Sequence, residues 1–438
     1  MKQSFYNFLL NVPQIKDTII YNSKTNYLAI LTENEALNFK EDLKQEDWNE
    51  ESWKQMIEAG FIVPKDIDEI EEIECEMNQG RFSNNHLSLT IAPTADCNFR
   101  CKYCYEKNNL DNQYMESETI DSIVKFIQSK AEEFKYLNVC WYGGEPLLCL
   151  DTIRKITNEI FILQEEYNFN YEASIVTNGY LLSRSVAKEL NQLRIKSVQI
   201  TLDGNKTQHD RRRILEGGGG TFDKIIANLE SINDICPEIA IRINVDRINS
   251  RDYQELLDII KKIDHNNRLY PYLGKVENYE DIYNNNLCMT SHEFYEEELY
   301  FSKTYLKDEL LNMYPNRKNN YCCADAMNSY IISYDGKLYK CWSDLGNADR
   351  SVGKLKDGKI VFTNRSYYYK FLNYNPIKDS TCKVCKCLPI CMGGCPYDRI
   401  HKEKECFKMK MDIKSYIKEL SLDLIRKQYK ELYNEDFS

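Results

Sequence analysis

The sequence predicts an α/β protein whose parallel sheet curves into a partial (β/α)6 barrel. A small α+β unit precedes the barrel and a cysteine-rich region follows it. Three observations carry that reading. Six apolar, strand-like runs alternate with helical periodicity between Leu87 and Glu277. Gly-rich and polar motifs follow those runs, where parallel α/β sheets bind ligands, at the carboxyl ends of the strands. The 17 cysteines of the 438 residues are unevenly spread, three between Cys97 and Cys104 and nine between Cys322 and Cys406.

Composition narrows the class further. At ~150 residues per domain the length suggests two or three domains. The 42% hydrophobic and 29% charged fractions exclude a wholly disordered chain. Against 68 Asp and Glu stand 57 Lys and Arg, a formal charge of −11, with no basic tract, so nucleic acid is not expected as a partner. No apolar run approaches the ~18 residues that span a bilayer, so no membrane association is expected. The opening MKQSFYNFLLNVPQIK has too short an apolar stretch for a secretion signal. A cytoplasmic location follows as the expectation, and there the cysteines read as metal ligands rather than disulfides.

Taken in order, residues 1–85 form the α+β unit. Alternation in Thr18–Leu31 predicts a hairpin turning through Asn22–Asn26, and helical patterns follow at Glu33–Leu43 and Glu50–Ala59. A short strand at Phe61–Pro64 leads into an acidic stretch, Lys65–Asn85, that reads as a linker. A winged-helix-like binding module and a structural cap both fit this unit. Residues 86–290 hold the barrel. Its strands are expected at Leu87–Ala92, Val139–Tyr142, Ser174–Thr177, Val198–Leu202, Ile239–Val245 and Leu269–Leu273. Its helices are expected at Ser117–Phe134, Ile153–Glu166, Ser185–Leu193, Phe222–Ile232 and Tyr253–Ile263. Residues 291–438 open with a helical stretch, Ser291–Met313, and close with an amphipathic one, Met409–Leu432. Between them Asp335-Gly336 joins Tyr330–Tyr334 to Lys337–Cys341 as a hairpin. Cys75, Cys140, Cys149, Cys236 and Cys288 stand singly and read as small core residues.

The segment Cys97-Asn-Phe-Arg-Cys101-Lys-Tyr-Cys104 follows the first barrel strand. Three thiolates so close together can wrap one four-iron cubane and leave one iron open to another ligand. Zinc is the alternative, but structural zinc sites group their ligands as Cys-x-x-Cys pairs. Further motifs end the next strands: Gly143-Gly144-Glu145-Pro146, Thr177-Asn178-Gly179 and Thr201-Leu202-Asp203-Gly204, with Arg213 just beyond. Glycines let backbone approach a ligand, and a carboxylate accepts from an ammonium. His209 fits either a general base or a turn cap, and Gly217–Gly220 either a mobile loop over the site or a plain surface loop.

The cysteine triplet, with Tyr103 before its last member, resembles the signature of the radical S-adenosylmethionine (SAM) superfamily. That resemblance implies a TIM-like partial barrel, with SAM chelated to the open iron of the cluster held by Cys97, Cys101 and Cys104. It also implies SAM contacts from Tyr103, Gly143, Gly144, Glu145, Thr177, Asn178, Thr201, Asp203 and Arg213. The reduced cluster would cleave SAM to methionine and a 5′-deoxyadenosyl radical that abstracts hydrogen from substrate. Cofactors do such hard chemistry, and the protein positions them. No catalytic base is assigned.

The tail, Cys322-Cys323, Cys341, Cys382, Cys385, Cys387, Cys391, Cys395 and Cys406, resembles the SPASM domain, which carries two auxiliary 4Fe–4S clusters. By that resemblance Cys382, Cys385, Cys391 and Cys406 hold one, and Cys323, Cys341 and Cys395 the other. The adjacent Cys322 leaves open whether both neighbours ligate. Cys387 is surplus to the pattern, a spectator or a stand-in ligand. Zinc ribbons are the alternative for this tail. The resemblance implies SAM and three 4Fe–4S clusters, a flavodoxin- or ferredoxin-type electron donor, and a ribosomally made precursor peptide cross-linked through a cysteine thioether. One alternative is an anaerobic sulfatase-maturating enzyme. That group typically has a catalytic aspartate directly after the cysteine matching Cys341, where this chain has Trp342, with Asp344 two residues on. An alternative of another class is a non-catalytic iron–sulfur electron carrier or redox sensor.

Overall fold

A computed structural model describes residues 1–11, 17–40, 43–235, 238–279, 281–305, 315–402, 406, 413–418 and 421–422. Cys236, the last third of the expected helix Ser291–Met313 and most of Met409–Leu432 lie outside the described residues. Compactness divides the chain into two bodies across the three sequence segments. One comprises Met1–Phe82, Glu298–Cys322 and Asn373–Ser438; the other, Ser83–Glu297 and Cys323–Leu372.

In the first body, β1 (Lys2–Gln3) awaits a partner later in the chain, while β2 (Asn7–Asn11), β3 (Thr18–Asn22) and β4 (Leu28–Leu31) form an antiparallel meander. The β3–β4 turn is set by Asn22, whose Oδ1 accepts from Lys24 N at 2.8 Å, and by Asn26, in the left-handed region at φ 60°. Helix α1 (Glu33–Lys40) starts at a Thr32–Glu35 capping box, and α2 (Glu50–Glu58) at Asn49, which caps Ser52 N at 2.8 Å. Strand β5 (Ile62–Val63) then pairs antiparallel with β1. Ile20, Phe39, Trp48, Trp53 and Phe61 fill the core between these elements.

The expected linker is instead a 14-residue helix, α3 (Glu69–Phe82). It buries Glu69, Ile73, Met77 and Arg81, one residue every turn, and two of those four are charged. Glu69 is satisfied there by Ser4 Oγ at 2.6 Å and Phe5 N at 2.8 Å. Tyr6, Ile73 and Met77 pack against Ile377, Leu388 and Met392, so the N-terminal elements share a core with the late cysteine-rich segment. Lys386 Nζ donates to Asn7 O at 2.7 Å, and Asn375 Nδ2 to Glu74 Oε1 at 3.1 Å.

The second body holds the barrel. Strands β6 (His86–Ile91), β7 (Tyr136–Trp141), β8 (Asn170–Thr177), β9 (Ile195–Thr201), β10 (Glu238–Val245) and β11 (Leu269–Lys275) pair in parallel, each with the next. Helices α4 (Ser117–Lys130), α5 (Leu150–Tyr167), α6 (Arg184–Gln192), α7 (Lys206–Arg212), α8 (Phe222–Ile232) and α9 (Gln254–Ile263) lie between strands in the chain. Their apolar stripes, such as Ile153, Ile156 and Ile160 on α5, are fully buried. The next helical stretch of the sequence reading begins as α10 (Ser291–Tyr305), whose residues are divided between the two bodies after Glu297.

The expected hairpin is present as β12 (Ser329–Ile332) and β13 (Lys337–Tyr339), but β12 also adds in parallel to β6. With β14 (Gly353–Lys356) and β15 (Lys359–Phe362) the sheet reaches ten strands. Among the described residues no helix is long and apolar enough to cross a membrane.

Candidate functional site

The cysteine loop leaves β6 through Thr94, whose hydroxyl donates to Gln113 O at 2.6 Å and accepts from Asp96 N at 2.9 Å. Cys97 N then donates to Asp96 Oδ1 at 2.8 Å, and Phe99 N to Cys97 Sγ at 3.4 Å. The loop is tied along the segment after α7. Arg100 N donates to Ile214 O at 2.7 Å and Lys102 N to Arg212 O at 3.0 Å. Cys97, Cys101 and Cys104 are all free thiols. Burial and the Glu145 charge push Cys97 up to about 12, and burial raises Cys101 and Cys104 as well. Thiols so placed favour the thiolate only when a cationic centre joins them.

Gly143 and Gly144 lie where a side chain cannot. A Cβ on Gly143 would meet Thr94 O at 2.8 Å, and one on Gly144 would meet Asp96 O at 2.0 Å. The glycines are therefore required by the neighbouring loop's backbone, whatever ligand also approaches them. Glu145 is fully buried. Its Oε1 accepts from Thr177 Oγ1 at 2.6 Å and Leu147 N at 3.0 Å, and its Oε2 from Asn178 N at 2.8 Å. It thus ties the end of β7 to the end of β8. Asn178 Nδ2 reaches back to Asn98 Oδ1, inside the cysteine loop, at 2.7 Å.

Tyr103 sits between two guanidinium groups. Its hydroxyl accepts from Arg213 Nη1 at 3.0 Å and Asn244 Nδ2 at 3.1 Å, while Arg212 lies 4.9 Å over its ring. Arg212 bridges Asp203 Oδ2 at 3.0 Å and Asp246 Oδ2 at 2.6 Å. Arg213 Nε and Asp203 Oδ1 are buried without a hydrogen-bond partner among the described residues. Thr201, at the end of β9, is buried beside them in sequence. His209 is fully buried. Thr221 Oγ1 donates to Arg213 O at 2.8 Å, so it accepts from His209 Nε2 at 3.0 Å, and Nδ1 accepts from Asp203 N at 3.3 Å. Both ring nitrogens are used, which fits the turn cap and not a free base.

Sequence reasoning missed the cavity on the inner strand faces. Ser88, Thr90, Asn138, Cys140, Ser174 and Ser197 line a space of about 330 Å³. The signal was present as polar residues alternating with Leu87, Leu89, Val139 and Ile175 along buried strands. Cys323 and Trp342 border the same cavity. Trp342 lies with its ring 4.4 Å from that of Tyr142. Asp344 is fully buried and engaged, accepting from Tyr367 Oη at 2.9 Å and pairing with Arg350 at 3.3 Å.

In the first body, Cys382 and Cys391 lie near Tyr374, while Cys322, Cys391 and Cys395 lie near Tyr321. Cys385 lies close to Tyr6, Cys387 is buried at 3% exposure, and Cys406 is partly exposed. Among the described residues no three Cys, His, Asp or Glu side chains gather closely enough to hold one metal ion. A cubane instead spreads its thiolates over separate corners. The donor set around the first triplet fits such a group: three soft sulfur ligands, with Arg213 Nε left free beside them.

Residues 91–263 match the Radical SAM superfamily, a span that takes in the cysteine loop and every strand-end motif above. The chain carries a radical SAM domain. The cysteine-type anaerobic sulfatase-maturating enzyme of Clostridium novyi is 27% identical over 345 residues, 70% of this chain and 87% of that enzyme. The enzyme of the same description from Clostridium perfringens (strain ATCC 13124) is 26% identical over 360 residues, 75% and 94% of the two chains. Among solved structures, native anSMEcpe with bound AdoMet and Cp18Cys peptide is similar at a TM-score of 0.58 and 23% identity, covering 78% of this chain and 97% of that one. Streptococcus suis SuiB bound to precursor peptide SuiA is similar at 0.51 and 17%, covering 93% and 98%. The likeness to these two structures is one of fold.

Proposed function

We propose that this chain is a radical SAM/SPASM maturase that cross-links a ribosomally made peptide through a cysteine thioether. Cys97, Cys101 and Cys104 would hold the SAM-binding cluster. Cys382, Cys385, Cys391 and Cys406 would hold one auxiliary cluster, and Cys323, Cys341 and Cys395, with or without Cys322, the other. When bound, the first cluster and SAM supply a one-electron route to a carbon-centred radical. The protein's own part is positional. Glu145 fixes two strand ends, Asn178 and Tyr103 fix the cysteine loop, and Arg213 offers a free donor to a carboxylate or hydroxyl of SAM. The single observation that carries this reading is that bonding of Asn98, Glu145, Asn178, Tyr103 and Arg213 around one cysteine loop. A cytoplasmic location and a flavodoxin- or ferredoxin-type donor go with it.

A sulfatase-type maturase is the second reading, favoured by the two Clostridium relatives. Trp342 has no carboxylate, and Asp344 is held by Tyr367 and Arg350, which favours the first. The test is anaerobic reconstitution of the full chain and of a Cys97/Cys101/Cys104→Ala triple variant. About twelve irons falling to about eight, with 5′-deoxyadenosine formed only by the parent, is the expected result. Deoxyadenosine from neither protein would leave the iron–sulfur carrier reading standing. Mass spectrometry of candidate cysteine peptides then separates the two maturases, since a thioether loses two hydrogens only, whereas formylglycine loses two hydrogens and also exchanges sulfur for oxygen.

A further inference from the structure

Strand β10 carries a charge that the proposed function leaves unused. Its Ile239, Ile241 and Ile243 are fully buried on one face, and Ala240, Arg242 and Asn244 alternate with them on the other. Arg242 is level with Thr201 of β9 and Tyr272 of β11 in the parallel register. Tyr272 Oη donates to Gln199 Oε1 at 2.7 Å, so these polar residues share the inner face of the barrel. Ser197, four residues before Thr201 on β9, borders the 330 Å³ cavity on that face.

The Arg242 side chain is held at one nitrogen. Its Nε donates to Asn244 Oδ1 at 2.7 Å, and Asn244 Nδ2 donates in turn to Tyr103 Oη at 3.1 Å. The guanidinium lies over Gly274 of β11, where a Cβ would meet its Cζ at 2.8 Å, so the bare backbone there leaves it room. Among the described residues Nη1 and Nη2 have no hydrogen-bond partner, and neither is a fully buried atom, so both open onto the lumen. Glu172 and Lys196, at the border of the cavity, neutralise each other at 2.7 Å. Arg242 has no such carboxylate among the described residues. A guanidinium is always charged, and one partly removed from water with two donors unmet marks a missing acceptor.

We propose that Arg242 binds a carboxylate of the peptide substrate, with Nη1 and Nη2 donating to its two oxygens. An Asp or Glu side chain and the peptide's carboxyl terminus share that chemistry. That the ligand is a peptide rests on the maturase reading. The planar fork of a guanidinium matches a carboxylate, whereas a neutral amide forfeits the charge and a basic side chain is repelled. Through Asn244 the guanidinium is tied to the residue before Cys104, so an acid seated here sets the distance of the peptide from the cysteine loop.

Calorimetric titration of the anaerobically reconstituted full chain, at saturating SAM and without reductant, tests this. The probes are end-capped pentapeptides of alanine around a central cysteine, with Glu at each other position in turn and Gln in matched peptides. A peptide without Glu is also offered with its carboxyl terminus free. At least one acidic peptide is expected to bind about tenfold more tightly than its neutral match, and R242Q to remove most of that difference. The peptide that carries the preference tells a side-chain carboxylate from a chain end. Equal binding of every acidic peptide and its match by the parent overturns the proposal without reference to any variant. So does an R242Q protein that keeps the preference, because another group then reads the acid. An R242Q protein that loses SAM affinity about as strongly also overturns it, since the guanidinium would then serve SAM. If the parent forms deoxyadenosine under reductant but prefers no acid, only this inference falls. If it forms none, the maturase reading beneath it falls too.

Discussion

His209 is neutral in the folded chain because burial, with the nearby Arg213 charge, lowers its pKa to about 4. In the unfolded chain it titrates near 6.5. Between those values the unfolded state takes a proton that the folded site refuses, so stability falls as pH drops from about 6.5 to about 4. The loss approaches about 3 kcal/mol at the acid end. Urea midpoints of the parent and His209→Gln at pH 6.5 and 4.5 check this, and equal pH slopes would assign the effect elsewhere. Glycines offer a second contrast. Gly144→Ala places a methyl 2.0 Å from Asp96 O and is expected to cost about 3 kcal/mol or more, with loss of the iron proposed for the adjacent loop. Gly217→Ala meets nothing within 4 Å and bears only its φ of +80°, a cost of about 1 kcal/mol. Melting temperatures and iron content of the two variants separate crowding from backbone strain.

At the scale of elements, α3 is the informative one. Met77, at 1% exposure, packs with Tyr6 and Leu388, so Met77→Ala is expected to cost about 3 kcal/mol in denaturant unfolding. Glu71→Ala, on the exposed face of the same helix, is expected to stay within about 0.5 kcal/mol. The sequence did not reveal α3 because its buried positions are Glu69, Ile73, Met77 and Arg81, and a stripe half made of charges reads as solvated. The barrel strands were legible because helices cover their apolar residues, leaving runs such as Ile239–Val245. The cysteine loop and strand-end motifs were legible too, since local spacing defines them. The pairing of β12 with β6 was not, because more than two hundred residues separate strands that only tertiary contact brings together. Cys140 read as an ordinary core residue, and only the pairing of its strand shows that it faces a cavity with Ser88 and Ser174.

At the scale of the molecule, the decisive feature is that residues 1–82 and the late cysteine-rich segment belong to one compact body. Deleting residues 1–82 strips Ile377, Leu388 and Met392 of Tyr6, Ile73 and Met77. On the proposed ligand sets, the truncated chain is expected to keep the iron assigned to the barrel loop and lose the iron assigned to Cys382, Cys385, Cys391 and Cys406. Iron counts with limited proteolysis of residues 373–402 check this, and a protease-resistant, iron-loaded tail would refute it. The same arrangement has a consequence for birth of the protein at the ribosome. Residues 1–82 emerge some three hundred residues before their packing partners, and at 5–20 residues per second that is an interval of tens of seconds. Through that time the apolar side of α3 has Tyr6 but lacks Ile377, Leu388 and Met392, so the earliest-made part of this chain is among the last to be finished. Slowing or stalling translation before Ile377 should therefore leave nascent chains that need a chaperone, even where the barrel behind them has already folded.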